Sequence, residues 1–302
     1  MSNPRAAVRL KKERRYGIAD RSLIFIVLFL IVFGLIMIYS ASAYSAVRSG
    51  HKSNYYLMSQ LRATLIGLGV MVFFSRLDYH ILMKFAWIAY FASLILIALV
   101  LTPLGMTVNG ARRWLNVGLS LQPAEVAKLG MIIFFAAYVC GNLRRVQHLK
   151  GIMKTIGFAA VPALMVYVIT DNLSSAIIIF AIGLIMLFVA VPKKKYVLAT
   201  VVILAALAVV YVLIRPTKLI RVKAWLDIEA YSSDESYQII QSLYAIGSGG
   251  IFGKGLGKST QKMGFVPEGE NDMIFSIVCE ELGVAGALIY IALIAILMWR
   301  CL

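Results

Sequence analysis

Eight stretches of this chain are long and apolar enough to cross a lipid bilayer, and that constrains its fold more than any other feature. A spanning helix needs about 20 mostly apolar residues, and such runs are read at Leu23–Tyr39, Leu57–Phe74, Ile81–Leu101, Ala124–Cys140, Thr155–Ile169, Leu173–Val191, Tyr196–Ile214 and Asp272–Trp299. The 302 residues are 61% hydrophobic and 15% charged, whereas an average soluble domain carries roughly a quarter charged residues. Such a chain cannot clothe itself in polar surface. The expected fold is therefore an all-α, polytopic membrane helix bundle of eight spans.

The net charge of +16 raises the question of nucleic acid. However, the basic residues fall in short runs between apolar stretches and form no continuous patch, so anionic lipid headgroups are the expected partners and nucleic acid is not. Cys140, Cys279 and Cys301 lack CxxC spacing, and His51, His80 and His148 are scattered. Neither a disulfide framework nor a zinc site is indicated.

Lys and Arg in the short connections set orientation. One side collects the basic leader from Arg5 to Arg21, then Arg76, Lys84, Arg144, Arg145, Lys150, Lys154, Lys193, Lys194, Lys195 and Arg300; the other collects Arg48, Lys52, Arg62, Arg112, Arg113 and Lys128. The bias places the N-terminus in the cytoplasm, with residues 1–22 as a basic tail. A cleaved signal peptide ending near Ala41-Ser42-Ala43 is the lesser reading, because the first apolar run exceeds the roughly 7 to 15 residues of a signal core. One outward connection, residues 215–271, is long, mixed in charge and rich in glycine.

Chemistry-bearing residues cluster on the outward side. Asn109-Gly110-Ala111-Arg112-Arg113-Trp114-Leu115 precedes Gln122-Pro123-Ala124-Glu125-Val126-Ala127-Lys128. Pro123 suits a first helical turn, and Glu125 and Lys128 are spaced to pair on one helical face. Trp114 reads first as an interfacial anchor. Arg113 is a candidate anion ligand. Lys128, within an apolar span, is either a site residue or the structural partner of Glu125. Asp171 and Asn172 occupy a short turn, where helix capping accounts for them.

In the long loop, Gly257-Lys258-Ser259 resembles the end of a nucleotide-binding loop, but Phe252 stands where the first glycine would be and no strand precedes it. Glycines with Lys254, Lys258 and Lys262 nonetheless suit a phosphate or diphosphate. The last span opens at Asp272, an N-cap or a catalytic carboxylate. Helical geometry puts Glu280 about 12 Å deeper and Glu281 on the opposite face. Adjacent carboxylates at that depth require partners or water.

Three separated segments, Asn109–Lys128, Gln241–Gly257 and Pro267–Gly283, together resemble the SEDS (FtsW/RodA/SpoVE) family of bacterial membrane proteins. Ser259-Thr260-Gln261-Lys262 and Asn271-Asp272-Met273-Ile274-Phe275 look more like its division and sporulation branch than its elongation branch. The resemblance implies a SEDS transmembrane domain over residues 23–302. It implies a peptidoglycan glycosyltransferase that polymerises lipid II on the outer leaflet of the cytoplasmic membrane in septal wall synthesis, beside a class B penicillin-binding transpeptidase. Asp272 matches the family's catalytic aspartate. Arg113 and Lys128 match functional positions; Glu125, Lys258, Glu268 and Glu280 complete the candidate substrate-binding set. A divalent cation, Mg or Mn, at the diphosphate is compatible with such chemistry, with no ligands identified. Where many relatives carry Pro-Asp-Leu-Gly-Thr, this chain has Asp171-Asn172-Leu173-Ser174-Ser175, so no role transfers to that aspartate. The family's ten spans exceed the eight read here, which is consistent with a fragment of a longer gene and leaves open whether a product of this length is active alone. Two rival classes stay open: a lipid II flippase, which needs polar residues in both leaflets, and a non-enzymatic division scaffold, which tolerates neutralisation of Asp272.

Overall fold

The computed structural model describes residues 20–108, 110–116, 120–192, 194–227 and 236–301. The basic leader up to Ala19, together with Asn109, Gly118 and Lys193, lies outside them. The described chain forms α1 (Arg21–Arg48), α2 (Tyr55–Arg76), α3 (Tyr79–Lys84), α4 (Ala86–Leu99), α5 (Pro123–Gly141), α6 (Leu143–Val146), α7 (Leu149–Thr170), α8 (Leu173–Ala190), α9 (Lys195–Ile214), α10 (Pro216–Leu226), α11 (Tyr237–Gly249) and α12 (Ile274–Cys301). Seven of these, α1, α2, α5, α7, α8, α9 and α12, are long and apolar enough to span a membrane. The expected third span is divided at Phe85 into α3 and the 14-residue α4.

The expected helix bundle is observed, with two details added to it. The connection over residues 215–271 contains α10 and α11. A small antiparallel sheet of β1 (Gly105–Val108), β2 (Ala111–Asn116) and β3 (Ser120–Leu121), in the order β1-β2-β3, accompanies the helices. Its register pairs Met106 with Trp114 and Leu115 with Leu121. The signal was present in the sequence: Asn109-Gly110 is a favoured hairpin turn, and Gly110 has φ 78°.

The chain divides into two compact units, residues 1–73 with 215–302, and residues 74–214. In the second, α5 packs on α4 and α8, and α7 on α8. Phe134, Phe135, Met131, Val166 and Ile179 are buried at its centre. Trp87 meets Phe134 edge-on at 5.0 Å between ring centroids. Gly183 lets α8 approach closely, because a Cβ there would lie 2.7 Å from that of Ala159. In lipid, such close packing replaces the hydrophobic effect as the force between helices. Nearly all of α9 is exposed apolar surface, with only Val197 buried, as suits a helix facing hydrocarbon.

In the first unit, α12 packs against α1 and α11. The Asp20 side chain caps α1 by accepting from the Ser22 and Leu23 amides, and the Leu23 amide, above all, holds its carboxyl below the ordinary value. On α11, Ser242, Ala245 and Gly249 form the buried face. Their small side chains allow contact with α12 at backbone distance.

Candidate functional site

The first unit contains a broken helix and a charged core built around the break. Gly283 has φ 69° and ψ −172° within α12. A helical run would have the amides of residues 284 and 285 donate to the carbonyls of Glu280 and Glu281. Instead Val284 and Ala285 donate to Gly250 and Ile251 at 3.0 Å each, while Lys254 and Gly255 donate to the freed Glu280 and Glu281 carbonyls at 2.9 Å each. The segment after α11 therefore plugs into the break, and every interrupted backbone group keeps a partner, as an apolar environment demands. The approach leaves no room for side chains. A Cβ on Gly283 would collide with the Gly253 amide and the Ile251 carbonyl, and one on Gly253 with the Glu281 carbonyl.

This plug also supplies the partners of both buried carboxylates. Glu280 and Glu281 are 0% exposed. Glu280 accepts from Lys254 Nζ at 2.6 Å, Ser248 Oγ at 3.3 Å, the Thr260 amide at 3.1 Å, the Gln261 amide at 3.2 Å and the Ser259 hydroxyl. Glu281 accepts from Lys262 Nζ at 2.8 Å, the Ser259 amide at 3.4 Å, and Ser40 Oγ of α1 at 2.7 and 2.8 Å to its two oxygens. The geometry corrects two readings. Glu280 is wholly enclosed and offers no free surface to a substrate. Glu281 does not face away, because both carboxylates end on Ser259; with residues 272 and 273 in a turn, helical counting from Asp272 fails.

Of the three loop lysines expected to favour an anion, Lys254 and Lys262 are thus neutralised within the protein. Lys258 is exposed, and although its amide donates to the Gly255 carbonyl at 3.1 Å, its ammonium makes no hydrogen bond or ion pair with any described residue. Ser259 stood in the sequence only as part of the Ser259-Thr260-Gln261-Lys262 motif; its role as the shared donor to both carboxylates comes from the fold.

The turn before α12 is also ordered by local contacts. Glu268, at φ 52°, accepts from Asn271 Nδ2 at 2.6 Å, and its carbonyl accepts from the Asn271 and Met273 amides. Glu270 accepts from Ser45 Oγ at 3.1 Å. Asp272 is exposed, and its carboxylate makes no hydrogen bond or ion pair with any described residue. Since α12 begins at Ile274, the N-cap reading of Asp272 is not realised.

The second unit holds the other candidates. Arg113 lies on β2, and its guanidinium donates to the carbonyls of Thr170 and Asp171, each at 3.1 Å, which caps the C-terminus of α7. Asp171 is in the left-handed region with φ 46°, and Asn172 caps α8 by accepting from the Ser175 amide. Arg112 donates to the Gly105 and Thr102 carbonyls. Lys128 and Glu125 form the expected pair at 2.7 Å, with their side chains 20% and 55% exposed. Trp114 stands on β2, half-exposed. Among the described residues no group of three or more His, Cys, Asp or Glu is arranged to hold a metal.

The architecture is that of a polytopic membrane protein with one span broken around a buried ionic core. Residues 21–302 match the family model FTSW_RODA_SPOVE, described as cell cycle protein, and the chain belongs to this SEDS family. It is 34% identical over 302 residues to a probable peptidoglycan glycosyltransferase FtsW of Trichlorobacter lovleyi, covering 97% of this chain and 77% of that one. It is 34% identical over 284 residues to the stage V sporulation protein E of Bacillus subtilis, covering 93% and 77%. Among solved structures, a chain of a peptidoglycan synthase complex that coordinates polymerization and crosslinking superposes with a TM-score of 0.73 at 26% identity, covering 94% of this chain and 77% of that one. The rod shape determining protein RodA of Thermus thermophilus superposes at 0.60 with 24% identity, covering 93% and 73%, a likeness of fold.

Proposed function

We propose that this protein is a peptidoglycan glycosyltransferase that polymerises lipid II at the outer face of the cytoplasmic membrane, in septal wall synthesis and beside a class B penicillin-binding transpeptidase. The names of its relatives support the reaction class, and the likeness to a synthase complex supports the partner. The observation that carries the reading is the state of Asp272. Of the acids from Glu268 to Glu281, Glu268, Glu270, Glu280 and Glu281 are held by protein donors, and Asp272 alone is exposed and unengaged by described residues.

In the proposed reaction a sugar hydroxyl of one chain attacks the anomeric carbon of another. The new C–O bond forms as the bond from that carbon to the diphosphate oxygen breaks. Asp272 takes the hydroxyl proton as general base, and the electron pair leaves with the lipid diphosphate, which needs positive charge in place of a proton. Of the three loop lysines in the same unit, Lys258 is the one whose ammonium is left unpaired by the described residues. The resemblance also names Arg113 and Lys128 as functional positions; within their own unit the Arg113 guanidinium serves two carbonyls and Lys128 pairs with Glu125.

The test is polymerisation of labelled lipid II by the purified protein with its transpeptidase present, comparing wild type with Asp272→Asn. Polymer from wild type and none from an equally stable variant is expected. Equal polymer from both would remove Asp272 from the mechanism; none from either would favour lipid II transport or scaffolding.

A further inference from the structure

Every donor around Glu280 comes from the segment between Ser248 and Gln261, and this segment leads directly into the turn that carries Asp272. The connection can be followed contact by contact. Glu280 holds the Gln261 amide. The Gln261 carbonyl then accepts from the Val266 amide at 3.0 Å. Val266 is buried with Ala41, Ala245 and Ile277, and Gln238 of α11 donates to the Pro267 carbonyl at 3.4 Å. The Glu268 carbonyl receives the Asn271 and Met273 amides on either side of Asp272. Asp272 has no hydrogen bond of its own to a described residue, so its place is set by this chain of neighbours.

Resting on the transferase reading above, we propose that Glu280 is a positioning residue for glycosyl transfer, a buried carboxylate that folds residues 254–262 over the broken helix and thereby fixes the turn bearing Asp272. A carboxylate is the group that fits. The five groups around it are all donors toward it, and an ionised carboxylate is acceptor-only. A glutamine of the same shape would turn an NH2 group toward donors, breaking part of the clamp while filling the same volume. Glu281 performs the parallel task toward α1, through Ser40 and Lys262.

The deciding experiment compares wild type, Glu280→Gln and the milder Ser259→Ala, measuring lipid II polymerisation at varied substrate and backbone hydrogen exchange in the same preparations. Displacement of a catalytic group by about 1 Å lowers turnover roughly hundredfold. The expected result for Glu280→Gln is therefore a kcat lower by about that factor with KM changed less than about twofold. Exchange should be about tenfold faster in residues 259–273 and unchanged in α5 and α8. Ser259→Ala should move both readouts the same way by less, and it decides the matter if Glu280→Gln does not fold. Lost turnover with unchanged exchange over 266–273 overturns the proposal, as does faster exchange with normal kcat, or a rise confined to KM. Absence of polymer from wild type would defeat the transferase reading and with it any role in transfer, whereas the exchange pattern would still report whether Glu280 orders the Asp272 turn.

Discussion

In the unit formed by α1, α11 and α12, charges are buried in pairs and wrapped by backbone amides and serines, whereas in the unit from α3 to α9 they lie near the surface and serve one contact at a time. Glu280 and Glu281 are fully enclosed, each with an ammonium partner, while the carboxylate of the Glu125–Lys128 pair is more than half exposed. The contrast follows from desolvation. An ion taken out of water requires a partner and further hydrogen bonds, so the buried pairs recruit the hydroxyls of Ser40, Ser248 and Ser259 and three backbone amides. A partly exposed pair keeps its hydration and requires none. One unit thus uses charge to specify a backbone path, and the other uses arginine to finish a helix end.

Four substitutions sharpen or break this comparison. The largest effect is expected from Gly283→Ala. Left-handed backbone strains a residue with a Cβ by about 1–2 kcal/mol, and here the Cβ also strikes backbone atoms that cannot turn aside. Loss of monodisperse protein in detergent is the expected outcome, and a normal melting profile would mean that α12 can run unbroken. Next comes Lys262→Met, which leaves Glu281 charged without its ammonium partner. A loss of about 3–5 kcal/mol is typical of such a change, read as a large drop in thermal stability. Joint replacement with Glu281→Gln should restore most of it; failure to do so would make the pair's hydrogen bonds, and not its charge, the stabilising element.

Arg113→Ala removes two charge-assisted hydrogen bonds from the end of α7. The expected cost is about 1.5–3 kcal/mol, with faster hydrogen exchange at residues 166–172 as the local signature. Smallest is Lys128→Met, because exposed pairs contribute about 0–1 kcal/mol. Its thermal stability should barely move, so a fall in lipid II polymerisation would report on function alone. A large loss of stability would show that the two units treat charge alike after all.

Much of this protein was legible in its sequence because lipid imposes simple rules. Apolar runs of spanning length have few alternatives to a helix, so α1, α2, α5, α7, α8, α9 and α12 fall where hydropathy puts them. Pro123 at the first turn of α5 and the three-residue spacing of Glu125 and Lys128 are likewise local facts, as is Asn172 as a cap. The family was readable from three ordered motifs, since those residues are specified by position in the chain.

What the sequence left undecided depends on contacts between residues far apart in it. Lys254, Lys258 and Lys262 look equivalent as a basic cluster, and only the folding of their segment across the Gly283 break commits two of them to Glu280 and Glu281 and leaves the third exposed. Glu280 looked like a ligand for substrate and proved to be enclosed, because burial is a property of packing. Arg113 looked free until the end of α7 came within reach of it. Sequence alone determined the helices and the family, through local propensity and the demand that backbone in lipid be satisfied. Tertiary structure decided which charges are spent inside the protein and which are left for chemistry, because pairing depends on distance in space.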